Sequence, residues 1–345
     1  MKGVIGVNFN FPKCDLHFHL DGSMPPHLIW KLAKERNIDL PSDNFEEFRK
    51  YVEVDGNCRS LYDFLRCFSI PGKVLQDKAA LEETAYYIVE EESKRGVVYL
   101  EIRFAPQLHV NKGLSQEEVV EAVIKGVNKA MNNNTNIKVG VILCAMVLGE
   151  SEDLTDVNME TLNVAKKFLG RGVVALDLAG AEGMKPMESF RGLFEKANEL
   201  GVPFTIHAGE SMGPENIKTA ISFGAKRIGH GKSAIESEEV MREIRDKGII
   251  LEMCVTSNIQ CNVVKGINNH PIKKLYDYGI KVTVNTDDMA ILKTDIDKEY
   301  EILINELGFT YNDLIKMNMY SIEGAFMEES EKERYLNVLK SYIKG

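Results

Sequence analysis

The sequence predicts an α/β fold, a (β/α)8 TIM barrel, on three observations. Eight short apolar runs alternate with longer segments of helical period, the pattern of parallel strands built from βα units. Side chains able to do chemistry cluster at the C-terminal ends of several runs, where barrel enzymes keep their active sites. A chain of 345 residues with 44% hydrophobic and 27% charged residues suits one large core.

The strands are expected, in order, at Lys13 to His19, Val97 to Ala105, Lys138 to Met146, Val173 to Ala179, Pro203 to Ala208, Arg227 to His230, Ile249 to Val255 and Lys281 to Thr286. Amphipathic segments lie between them, among them Gln116 to Met131, Met187 to Leu200, Glu215 to Phe223 and Ser237 to Lys247. One long interruption, Pro25 to Tyr87, predicts several helices inserted after the first strand, placed to cap the barrel mouth. Lys298 to Ile343 predicts terminal helices, one opening at the Asn/Asp boundary in GFTYNDLIKM. The whole chain is expected to form a single barrel domain with these two additions.

The formal net charge of −10 is spread along the chain without a basic track, which argues against nucleic acid as a partner. The opening MKGVIGVNFNFPKCDLHFHLDG has no basic region followed by a long apolar stretch and a cleavage site. No window offers the roughly 18 uninterrupted apolar residues of a membrane span. A cytoplasmic protein with no membrane partner is expected. Cys14, Cys58, Cys67, Cys144, Cys254 and Cys261 form no C-x-x-C pair and read as buried free thiols.

The first strand ends in His17-Phe18-His19, so both imidazoles project to one face of the sheet and Phe18 to the other. Such a pair suits a metal, or else a hydrogen-bonded pair in the core. The fifth strand ends in His207-Ala208-Gly209-Glu210, the sixth in Gly229-His230-Gly231, the eighth in Thr286-Asp287-Asp288. Each cluster alone reads equally as a strand-end cap or a loop charge. Together they place four of the seven histidines and three carboxylates at one expected mouth, which points to a metal-centred active site. His17, His19, His207 and Asp287 give the N3O ligand set that zinc accepts, with room for a water. Zinc lowers the pKa of that water to roughly 7 from ~15.7. His27, His109 and His270 read as structural or exposed. The H-x-E and P-C-x-x-C signature of the cytidine-deaminase type is absent from the sequence.

DLHFHLDGS, SLYDFLRCF, LEIRFAP, DLAGAE, HAGES, RIGHG, EMCVTSN and NTDD occur in this order over essentially the whole chain, which thereby resembles the adenosine deaminase family of the amidohydrolase barrels. The resemblance implies one zinc ion held by His17, His19, His207 and Asp287. It implies that Asp288 and His230 orient the attacking hydroxide and help move its proton, while Glu210 protonates N1 of the purine. Attack at C6 of an aromatic ring requires that protonation, and a carboxyl shielded beside a metal has its pKa raised. His19 and Asp21 would face the substrate, Asp21 meeting the ribose 5′-hydroxyl, where adenine-specific relatives tend to carry Glu. Gly180 would offer its N–H to purine N3, or simply make the turn.

Leu61, Phe64, Leu65 and Phe68 form one apolar helix face, which the resemblance makes the rim over the substrate and which ordinary cap packing would also explain. The sequence departs from the family's usual pattern at Val147 (often Arg), Ala181 (DLAGDE), Val255 (CPTSN) and Met289 (often Pro), removing neither a ligand nor the acid. VVALDLAG offers no Lys or Glu to bridge a second metal. The implied activity is deamination of adenosine, with 2′-deoxyadenosine, to inosine and ammonia. The alternatives are another 6-aminopurine, adenine or a 5′-modified adenosine, and a silent zinc or nucleoside binder. The expected partner is a small molecule, and no protein partner is indicated.

Overall fold

The computed structural model describes residues 9–54, 58, 64–134 and 136–343. Among the described residues the parallel strands are β1 Lys13–His19, β2 Val97–Phe104, β3 Lys138–Val147, β4 Val173–Gly180, β5 Thr205–Ala208, β6 Arg227–His230, β7 Ile250–Met253 and β8 Lys281–Val284. They pair as two four-stranded sheets, in the orders β1-β2-β3-β4 and β5-β6-β7-β8. The sheets meet at both seams. At one, Leu176 bridges Phe204 and its N–H donates to Pro203 O at 2.9 Å. At the other, Phe18 bridges Asp287, the His19 N–H donates to Asp287 O at 2.9 Å, and the Asp287 N–H donates to His17 O at 2.8 Å. The hydrogen bonds that join the last strand to the first are therefore made by the candidate site residues themselves. The expected barrel is formed.

The insertion after β1 carries α1 Pro26–Glu35, α2 Phe45–Val52, α3 Ser69–Val74 and α4 Lys78–Lys94. Between later strands lie α5 Gln116–Asn133, α6 Thr155–Phe168, α7 Arg191–Leu200, α8 Pro214–Phe223, α9 Glu238–Lys247, α10 Val255–Gln260 and α11 Ile272–Asp277. The terminal helices are α12 Ile296–Asn305, α13 Tyr311–Gly324 and α14 Glu329–Lys340. Local chemistry sets several boundaries. Ser115 with Glu118 and Thr310 with Asp313 make capping boxes that open α5 and α13. α8 begins with Pro214, whose missing N–H costs nothing at a first helical position.

Several boundaries shift: the strand expected from Pro203 opens at Thr205, and the one expected to reach Thr286 ends at Val284. The helix expected from Met187 opens as a 3-10 turn, Met187–Phe190, before α7. The strand expected to run to Val255 ends at Met253, and the chain turns at Cys254 into α10. That early turn brings Asn258 beneath the barrel mouth.

Side chains alternate across the barrel wall. On β1, Leu16 and Phe18 join the apolar core, while Asp15 and His17 face inward. The inward positions of the other strands carry Glu101, Arg103, Asp177, Arg227 and Glu252, all buried. Arg103 bonds Asp177 and Glu252 at 2.8 Å each, and Arg227 bonds Glu101 and Glu252 at 2.6 Å each. Such charges are expensive to bury singly, and these are held in a shared network of ion pairs.

Candidate active site

β1 and the segment after β8 are locked together by one buried carboxylate. Asp15 Oδ1 accepts from the His17 N–H at 3.1 Å, and its Oδ2 accepts from the Thr286 N–H at 3.1 Å and hydroxyl at 2.6 Å. Asp287, next in the chain, adopts φ 63°, and His230 at the end of β6 adopts φ 57°. Left-handed backbone at two non-glycine residues is a local cost held by the surrounding hydrogen bonds, and such strain clusters at functional sites.

Three imidazoles converge beside Asp287. Ring centroids lie 4.5 Å apart for His17 and His207, 5.3 Å for His17 and His19, and 5.5 Å for His19 and His207. His17 Nδ1 lies 2.8 Å from Glu252 Oε2, and His207 Nδ1 lies 2.9 Å from Asp177 Oδ2. The hydrogen bond of His17 Nδ1 to its carboxylate and the close approach of His207 Nδ1 to Asp177 turn the Nε2 lone pairs inward. His17 Nε2 is buried without a hydrogen-bond partner, and Nε2 of both His17 and His19 sits 3.4 Å from Asp287 Oδ1. Lone pairs facing one another at that separation fit a cation between them, so the residues suit a divalent metal. Cys254 also lies near His17, His230 and Asp287. Burial and then the charge of Asp287 push its thiol well up, and its Sγ donates to Glu252 O at 3.5 Å.

The electrostatics separate the carboxyls. Burial alone would raise Asp287, yet the imidazoles of His17, His230 and His19 crowded around it hold it well below the ordinary range. Asp288 moves the other way, raised by burial and then by Asp287 beside it. Glu210 is raised to about 8 by burial and then by Asp287, so it carries a proton at neutral pH. Asp21 is raised to about 6 by burial. His19 and His230 are lowered by burial and stay neutral. Carboxyls pushed apart in one cleft are the arrangement that acid and base catalysis needs.

His230 is oriented from behind. Its Nδ1 lies 3.0 Å from Asn258 Nδ2, and Asn258 Oδ1 lies 3.1 Å from His270 Nε2. His270 Nδ1 accepts from the Ile272 N–H at 3.3 Å. A backbone N–H can only donate, so the chain has one consistent direction: His270 donates to Asn258, Asn258 donates to His230, and His230 is left with its proton on Nε2. That nitrogen is 3.7 Å from Glu210 Oε1 and 3.8 Å from Asp287 Oδ2.

One cavity of ≈210 Å³ collects these groups. His19, His207 and Asp287 line it with Glu210, His230 and Asp288. Asp21, Gly180, Phe64, Leu65 and Phe68 complete the wall, so strand ends and cap face the same space. His17 lies behind, fully buried. Leu61 lies outside the described residues. Phe64 also packs with Val54, Ile291 and Leu292, so rim and cap packing are the same contact there. A Cβ on Gly22 would overlap the Asp288 carboxylate, which makes the glycine of HLDG a requirement of close approach. Gly180 has φ 108°, and a Cβ there would strike the Val147 carbonyl. The turn therefore demands glycine whatever the cavity holds.

Other histidines and cysteines revise the expectations. His270 belongs to the chain behind His230, and His109 is buried in the cavity wall with its pKa lowered to about 4 by burial. His27 is exposed, as read, against Tyr87. Four cysteines are buried free thiols, while Cys58 and Cys67 are only half-buried. Glu252, Asp177, Asn258 and Glu182, which hold the site from outside, are absent from the sequence reading as site residues. Glu101, Arg103, Asp177 and Glu252 share the inward strand face with His17 and His19, and that period-two pattern of charge was the signal available.

No helix among the described residues is long and apolar enough to cross a membrane. The adenosine deaminase family model matches residues 12–342. A relative from Haemophilus ducreyi, named adenosine deaminase, is 40% identical over 325 residues, covering 93% of this chain and 94% of its own. The crystal structure of adenine deaminase from Arthrobacter aurescens superimposes with a TM-score of 0.86 at 25% identity, over 96% of this chain and 98% of that one. The N6-mAMP deaminase of Arabidopsis does so with a TM-score of 0.85 at 26% identity, over 96% and 98%. With the family model spanning nearly its full length and the family's motifs meeting in one cavity, this chain belongs to the adenosine deaminase family.

Proposed function

We propose that this protein is a single-domain zinc hydrolase that converts adenosine, and 2′-deoxyadenosine, to inosine and ammonia. The observation that carries the reading is the meeting, in one cavity, of an imidazole–aspartate cluster with Glu210, a carboxyl that keeps its proton at neutral pH. His17, His19, His207 and Asp287 would hold one zinc ion per chain. Bound there, zinc supplies a water acidified enough to act as a nucleophile near neutral pH. Four buried free thiols, Cys14, Cys144, Cys254 and Cys261, fit a reducing compartment such as the cytoplasm.

The chain's own residues do the rest. Glu210 gives its proton to N1 as water adds to C6, so that charge pushed into the ring is neutralised and the tetrahedral carbon can form. His230, neutral and carrying its proton on Nε2, faces the reacting centre as a donor and steadies the oxygen that adds. Asp288 takes one proton from that oxygen and hands it to the departing amino group, which leaves as ammonia, and the oxygen's second proton returns to Glu210, so that inosine keeps N1–H and the acid is restored. Gly180 would direct its N–H at purine N3, and Asp21 would accept from the ribose 5′-hydroxyl. Phe64, Leu65 and Phe68, with Leu61, would cover the ring and exclude bulk water.

A second reading, a different 6-aminopurine such as adenine or a 5′-modified adenosine, has support in the likeness to the adenine and N6-mAMP deaminases. The aspartate at position 21 favours the nucleoside. Metal analysis and an adenosine-to-inosine assay on the same preparation test the first reading, and a panel of 6-aminopurines followed by loss of adenine absorbance tests the second. Full turnover after exhaustive chelation, or turnover of adenine in preference to adenosine, would overturn the corresponding claim.

A further inference from the structure

The loop that carries Glu210 has little structure of its own. It runs from the end of β5 at Ala208 through Gly209, Glu210, Ser211 and Met212 to Pro214, the first residue of α8. Four successive backbone N–H groups along it converge on one carboxylate. Glu182 Oε1 accepts from the Gly209 N–H at 2.7 Å, and its Oε2 accepts from those of Glu210 at 2.9 Å, Ser211 at 2.8 Å and Met212 at 3.1 Å. Asn216, in the first turn of α8, adds a side-chain bond to Oε1 at 2.9 Å. The Ser211 hydroxyl completes the clasp, 3.2 Å from Glu182 O and 3.5 Å from Oε2. Gly209 at φ 69° turns its N–H toward the carboxylate, making the concave run of amides that binds anions.

Glu182 stands two residues beyond Gly180, and its own N–H donates to Gly180 O at 3.0 Å. The same residue thus ties the turn that would meet purine N3 to the loop that would meet purine N1. Its accepting positions are occupied by N–H groups of the protein, so it is not a group for the substrate. An amide could not replace it: whichever way the side chain introduced by Glu182→Gln turned, its NH2 would face at least two N–H donors.

We propose that Glu182 is the positioning residue for Glu210, clamping the loop after β5 so that the acid stands at a fixed distance from the Gly180 turn. This rests on the reading of Glu210 as the acid for N1. The negative charge of Glu182 also contributes, behind burial and Asp287, to holding the proton on Glu210. A displacement of about 1 Å at a reacting group can cost ~10²-fold in rate, which sets the scale of the effect.

The test uses the full-length zinc-loaded protein and a double-mutant cycle of Glu182→Gln with Glu210→Gln. Glu182→Gln is expected to keep its zinc, hold KM for adenosine within about threefold and lose at least about tenfold in kcat. In the Glu210→Gln background the same change is expected to cost nothing further. Calorimetry supplies a readout apart from turnover: Glu182→Gln weakens binding of inosine, which presents N1, and leaves 1-deazaadenosine, which lacks it, unchanged. If Glu182→Gln does not fold, Asn216→Ala removes one arm of the clasp, with a smaller loss of the same pattern expected. Losses that multiply through the cycle, equal weakening of both ligands, or full kcat in both the Glu182→Gln and the Asn216→Ala single variants overturn the link. Full kcat in Glu210→Gln alone overturns the acid assignment and the link with it, whereas full kcat in both Glu182→Gln and Asn216→Ala beside an impaired Glu210→Gln overturns only the link.

Discussion

Glu252 Oε2 lies 2.8 Å from His17 Nδ1, with both side chains fully buried, and the same oxygen accepts from Arg103 Nη2 at 2.8 Å. The imidazole proposed to hold the metal is thus aimed by a carboxylate whose charge is shared with Arg103 and Arg227. Glu252→Gln preserves the shape and removes the charge. Zinc affinity is expected to fall ~10–100-fold, and the fold to lose about 3–5 kcal/mol because two arginines lose a buried partner. Competitive chelation and denaturant unfolding check the two effects separately, and unchanged zinc affinity would count against the assignment.

Glu210→Gln keeps the side chain's size and removes its proton chemistry. Since Glu210 is an acid and not a ligand, zinc should remain while kcat falls ~10²-fold or more. Loss of the metal on this change would reject the division of roles.

The raised pKa of Glu210 has a thermodynamic signature in the metal-free protein. The folded form keeps this proton to about pH 8, whereas a carboxyl at the ordinary 4.5 has released it. Its contribution to stability is therefore complete below 4.5 and declines as pH rises towards 8, at up to about 1.4 kcal/mol per pH unit. Urea unfolding of chelated protein over pH of about 5 to 8 should show Glu210→Gln losing less stability than the parent. Parallel curves would deny the shift.

The aspartate at position 21 makes a prediction about the sugar. Asp21→Ala should penalise adenosine more than 5′-deoxyadenosine in kcat/KM, by roughly the tenfold or more that a lost charged hydrogen bond costs. Equal losses on both substrates reject contact with the 5′-hydroxyl.

The chain Ile272–His270–Asn258–His230 predicts a tautomer. Asn258→Asp offers His230 an acceptor in place of a donor, so its proton should move to Nδ1 and leave Nε2 bare toward the reacting centre. Nitrogen NMR of labelled histidine reads the switch directly, and kcat should fall roughly 10²-fold or more with zinc retained. An unmoved proton would overturn the chain's direction.

How much of this was legible in the sequence follows from distance along the chain. The HxH spacing put His17 and His19 on one strand face, and alternation with helical segments placed His207, Glu210, His230 and Asp287 at strand ends, because period and turn chemistry are local properties. The same local reading misplaced the end of β7, where apolar residues continue past Met253 while the backbone has already turned into α10.

The sequence by itself determined the strand-helix alternation, the faces of the strands and the family. Tertiary structure alone decided which distant groups hold the site: Glu252 on His17, Asp177 on His207, Asn258 with His270 on His230, and Glu182 on the Glu210 loop. The physical reason is closure of the barrel. A carboxylate recognises whatever N–H groups the curved sheet carries to within about 3 Å, and in these pairs that proximity is made by strands and loops folding past one another.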